Sequence, residues 1–102
     1  MNLSETSRKI LAHIDNEYVT KLLQELVSIP SVNPPGTYEE IVPFIKDEIS
    51  RYGIRVSQYE HYQNRPSLVA TVEGSGGGPT LLADAHYDVV PAYDVSRWKY
   101  PP

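Results

Sequence analysis

Apolar residues recur at helical spacing through the first half of the chain and at alternate positions afterwards. Val19, Leu22, Leu23, Leu26 and Val27 stand at i, i+3, i+4, i+7 and i+8, one stripe along a helix that starts near Glu17 and faces a core. Asp15 and Asn16 offer caps for it. A shorter helical pattern begins near Arg8 and carries Ile10, Leu11 and Ile14, while residues 1–7 are polar and expected to fray. Pro30, Pro34, Pro35 and Gly36 end the second helix and make residues 29–36 a loop. Thr37 with Glu40 reads as a capping box for a third helix, with Ile41, Phe44, Ile45, Ile49 and Tyr52 on one face and Gly53 as its stop. Pro43 lies inside that pattern, which predicts a kink or a late start.

From Ile54 the period becomes two. Ile54 and Val56 alternate with Arg55 and Ser57, predicting a strand to about residue 60, with a second strand over 67–72. The glycine-rich turn of residues 74–79 is expected to bring back a third strand over 80–85. The fold class that follows is α/β: N-terminal helices, then a partial mixed sheet. The glycines do not form a phosphate loop, because no Gly-Lys-Ser/Thr ending is present and a helix does not follow.

At 102 residues the chain makes one small domain at most, and 40% hydrophobic residues against 22% charged ones suit a packed, soluble protein rather than a disordered one. Nine basic and 13 acidic residues, with no basic cluster, argue against a nucleic-acid partner. There is no cysteine, so neither a disulfide framework nor a thiolate metal site is available. The chain opens without a signal-peptide pattern and holds no apolar run of membrane-spanning length, so no membrane partner and a cytoplasmic location are expected.

The candidate chemistry lies in His86-Tyr87-Asp88, between the apolar run Leu81-Leu82-Ala83 and Val89-Val90-Pro91. Side chains two apart on an extended segment share a face. Asp88 is therefore expected to accept one imidazole N–H of His86, leaving the other ring nitrogen for a metal. One imidazole falls short of the three or four ligands that zinc takes. His13 has no companion at helical spacing and is read as solvent-facing; His61, flanked by tyrosines, is read as exposed.

The string from Leu81 to Ala92, followed by Trp98 and Pro101-Pro102, resembles the first metal-site motif of a known family. Its members are the zinc-dependent exopeptidases and amidohydrolases that include acetylornithine deacetylase, succinyl-diaminopimelate desuccinylase, aminoacylase and carboxypeptidase G. Leu26 to Gly36 looks like that family's loop after its first long helix, and Arg65 to Ala70 like the strand before the motif. The resemblance implies that residues 1–102 are the N-terminal part of a single catalytic domain. It implies a two-metal zinc site, with Co²⁺ or Mn²⁺ as alternatives, in which His86 is a metal ligand and Asp88 is the catalytic-site residue that orients it. The substrate it implies is a small N-acylated amino acid or peptide, and it allows a homodimer in the full-length form. The family's other ligands and its general-base glutamate lie downstream of residue 102. Asp84 departs from the family, which more often has a small or neutral polar residue there. Another class of function fits the same residues: a non-catalytic αβ module acting by association, or an inactive remnant.

Overall fold

The computed structural model describes residues 4–102. Among these the chain is mixed α/β, with helices α1 (Glu5–Leu11), α2 (Asn16–Ser28) and α3 (Ile41–Ser50), then strands β1 (Val56–Tyr62) and β2 (Arg65–Ala70). Helix α1 starts earlier than the apolar pattern placed it. Ser4 caps it by accepting the Ser7 amide, so Glu5–Ser7, expected to fray, form its first turn. Of that expectation, residues 1–3 lie outside the described residues. Asp15 caps α2 as read, accepting the amides of Glu17 and Tyr18.

The capping box before α3 does not form. Glu40 occupies the N-cap position without a side-chain hydrogen bond, and the helix begins at Ile41. Pro43 is thus the third helical residue, within the turn whose amides have no intrahelical acceptor, and its missing N–H is harmless there. A late start replaces a kink. Gly53 closes the segment at φ +71°, a conformation that favours glycine.

The sheet is a two-stranded antiparallel hairpin with Val56 opposite Ala70 and Tyr62 opposite Arg65. Asn64 takes φ +61° in the intervening turn, where its amide donates to the Glu60 carboxylate. The third strand expected over 80–85 is a correction: that segment pairs with nothing, and Leu81 and Leu82 are 91% and 86% exposed. An apolar run becomes a strand only where a neighbour takes up its backbone hydrogen bonds, and the described residues supply none beside it.

The core is small. Tyr38, Ile41 and Val42 are buried, and Leu26, Ile29, Ile45, Leu68 and Tyr87 pack around them. Helix α2 meets this cluster through Leu26 and the following Ile29, while Tyr18 donates to Glu48 of α3 at 2.7 Å. Glu48 is itself buried and also takes Arg51 at 2.8 Å, which satisfies a carboxylate that would otherwise be costly there. The stripe on α2 is only partly covered, a second correction: Val19, Leu23 and Val27 stay exposed.

Candidate functional site

Within the triplet, Tyr87 turns into the protein while its neighbours meet at the surface. The Tyr87 ring stands edge-on to Tyr38, 5.0 Å between centroids, and its hydroxyl donates to the Pro66 carbonyl. Burial pushes its phenol above the usual tyrosine value, with Tyr38 and nearby carboxylates adding to the rise. A neutral phenol is therefore favoured in the folded chain. The anchor's contribution is whole below the ordinary tyrosine pKa of about 10 and is lost as pH rises through Tyr87's higher value. An alkaline titration followed at the Ser67 amide should show a late transition that Tyr87→Phe abolishes. Ionisation of Tyr87 together with the exposed tyrosines would contradict this.

The next residue joins the triplet to the proline loop after α2. Val89 donates its amide to Ser31 O at 3.0 Å, and Asn33 donates its own to Val89 O at 2.8 Å, a parallel bridge between Val32 and Val89. Gly36 lets this loop pass close to the hairpin. Its φ is +89°, and a Cβ there would lie 3.2 Å from the Tyr38 hydroxyl and 3.3 Å from the Arg65 guanidinium. Arg65 in turn donates to the Pro35 carbonyl at 3.3 Å.

This frame brings three side chains together. Asp88 Oδ1 lies 3.0 Å from His86 Nδ1, and Asp88 Oδ2 accepts Asn33 Nδ2 at 3.0 Å. His86 Nδ1 is also 2.9 Å from the Asp88 carbonyl oxygen. The hydrogen bond from Asn33, seconded by His86, holds the Asp88 carboxyl below the usual carboxylate range against a partial desolvation that opposes it. Both groups facing Nδ1 are then acceptors, so Nδ1 carries the proton. The neutral ring keeps its lone pair on Nε2, and the His86 side chain is 84% exposed.

A lone pair on an exposed, oriented imidazole suits one position in the shell of a divalent ion. It does not make a whole shell, and the described residues contain no group of three or more His, Asp or Glu able to hold a metal. His13 is exposed in the turn after α1, its Nδ1 2.7 Å from Lys9 O, and His61 is exposed against the Tyr62 ring. Neither joins His86. Asp84 is exposed, and nothing in the structure explains its charge. Asn33 escaped the sequence reading because 55 residues separate it from Asp88, and no local spacing marks an asparagine in a proline-rich loop. Among the described residues no helix is long and apolar enough to cross a membrane.

Curated relatives are similar to most of the chain. N-formyl-4-amino-5-aminomethyl-2-methylpyrimidine deformylase of Halalkalibacterium halodurans is 30% identical over 99 residues, covering 92% of this chain and 23% of that protein. A probable succinyl-diaminopimelate desuccinylase of Staphylococcus epidermidis is 33% identical over 82 residues, 80% of this chain and 19% of that protein. Cysteinylglycine-S-conjugate dipeptidase of Corynebacterium striatum is 28% identical over 92 residues, 86% of this chain and 20% of that protein. The chain thus spans about a fifth of the length of the relatives it matches. No family model matches it, and no solved structure matches it significantly.

Proposed function

The chain is a member of the amidohydrolase and exopeptidase family that includes succinyl-diaminopimelate desuccinylase, and we propose from this that it supplies part of the metal site of a hydrolase. The bond attacked is an amide, the chemistry common to the names of a desuccinylase, a deformylase and a dipeptidase, and the proposed substrate is an N-acyl amino acid or small peptide. The observation that carries the reading is the contact between His86 Nδ1 and Asp88, which leaves Nε2 exposed. His86 is the proposed ligand, and Asp88 holds the proton on the far nitrogen so that the lone pair faces outward. A divalent ion, when bound, polarises the amide carbonyl and lowers the pKa of a bound water toward about 7. Zinc is the first choice; cobalt and manganese also suit imidazole and oxygen donors.

Titration of the 102-residue chain with zinc, followed by NMR of its three histidines, tests this. His86 should respond first and at Nε2, with affinity weaker than micromolar because one imidazole is a fraction of the shell, and His86→Ala should remove the response. The chain alone should not turn over an N-acetyl amino acid. Response at His13 or His61 with His86 silent would overturn the reading. Exposed Leu81 and Leu82 favour a second one, a module that acts by association. That module needs no metal, and silence at every histidine would leave it standing.

A further inference from the structure

We propose that Asn33 is a positioning residue for His86: its side-chain amide fixes the Asp88 carboxylate, which keeps the imidazole proton on Nδ1 and leaves Nε2 open. This rests on the metal-ligand reading of His86. The geometry points to Asn33 because its side chain and main chain act on adjacent residues of one segment. Its amide N–H binds Val89 O at 2.8 Å, and its side chain reaches Asp88 Oδ2, one residue back, at 3.0 Å. The Val89 amide returns to Ser31 O, so the two segments are tied in register at the residue next to the carboxylate.

Only the nitrogen end of the Asn33 amide can face Oδ2, since a carboxylate offers no hydrogen to the oxygen end. The two oxygens of Asp88 are thereby divided, Oδ2 to Asn33 and Oδ1 to His86. The second torsion of an aspartate is broad. Without the amide the carboxylate turns freely, and Nδ1 keeps only the Asp88 carbonyl as a fixed acceptor. Asn33 thus couples the loop after α2 to the free nitrogen of His86 without touching the ring.

The test uses the 102-residue chain labelled with ¹⁵N at histidine, with the His86 tautomer read from long-range ¹H–¹⁵N spectra at neutral pH. The native chain should show Nδ1–H. Asn33→Asp keeps the size of the side chain but sets a carboxylate against a carboxylate, and should lower the ratio of Nδ1–H to Nε2–H roughly tenfold, as expected for loss of a charge-assisted hydrogen bond. Asn33→Ala should move it in the same direction, and Asn33→Gln, which keeps the donor, should recover part of it. Exchange protection of the Asn33 and Val89 amides reports whether the bridge persists; if alanine weakens the bridge, the isosteric aspartate variant decides. An unchanged tautomer in Asn33→Asp with the bridge intact would overturn the role of Asn33. Nε2–H in the native chain would instead overturn the metal-ligand reading beneath it.

Discussion

Replacing Ile41 with alanine should destabilise the chain by about 2–5 kcal/mol, the usual cost of truncating a buried aliphatic side chain to alanine. Ile41 is 2% exposed and sits between Tyr38 and Val42, the other buried apolar side chains. Few residues share the load. A chain of this size has a stability of about 5–15 kcal/mol at best, and a core this thin belongs at the lower end, so one truncation removes a large part of it. Urea unfolding followed by circular dichroism measures the loss. The control is Leu81→Ala: Leu81 is 91% exposed, and its change should stay within about 0.5 kcal/mol. Equal losses at the two positions would show that Leu81 is covered in solution and that the core extends beyond the cluster around Ile41.

The other large effect concerns chemistry. In a chimera joining this chain to the remaining length of a desuccinylase relative, His86→Ala should cut amide hydrolysis by more than about 100-fold, because replacing even an outer partner of a metal ligand typically costs 10–100-fold. Asp88→Ala should fall within that lower range, since it disorients the ring without deleting it. The readouts are kcat/KM on an N-acyl amino acid and the metal content of the purified protein. Full activity in His86→Ala with metal retained would remove His86 from the site. Loss of activity with metal content unchanged would place its contribution elsewhere in the reaction.

The helices were legible because each carries its own signals. The period of Val19, Leu22, Leu26 and their neighbours, the Asp15 cap and the glycine after α3 act within a few residues, where main-chain hydrogen bonding is local. The first two strands were legible to within about two residues at each end, but their pairing with each other was not, since the turn expected to join paired strands was the glycine-rich one of residues 74–79. Strand 80–85 was misread because β-structure needs a partner, and an apolar run does not say whether one stands beside it. The partly uncovered stripe on α2 has the same origin: periodicity names a face, and packing decides how much of it is covered.

In the candidate site the same division holds. His86 and Asp88 stand two apart, and a short separation along a backbone restricts how far their side chains can diverge, so their contact was foreseeable from spacing. Tyr87 reaching the Pro66 carbonyl and Asn33 meeting Asp88 across 55 residues were not. Primary structure was enough for the helices, for two of the three expected strands and for the pairing of acid and imidazole, since these arise from neighbours along the chain. Folding in three dimensions settled which apolar surface is covered and what steadies the carboxylate, because those contacts join segments whose meeting no local rule encodes.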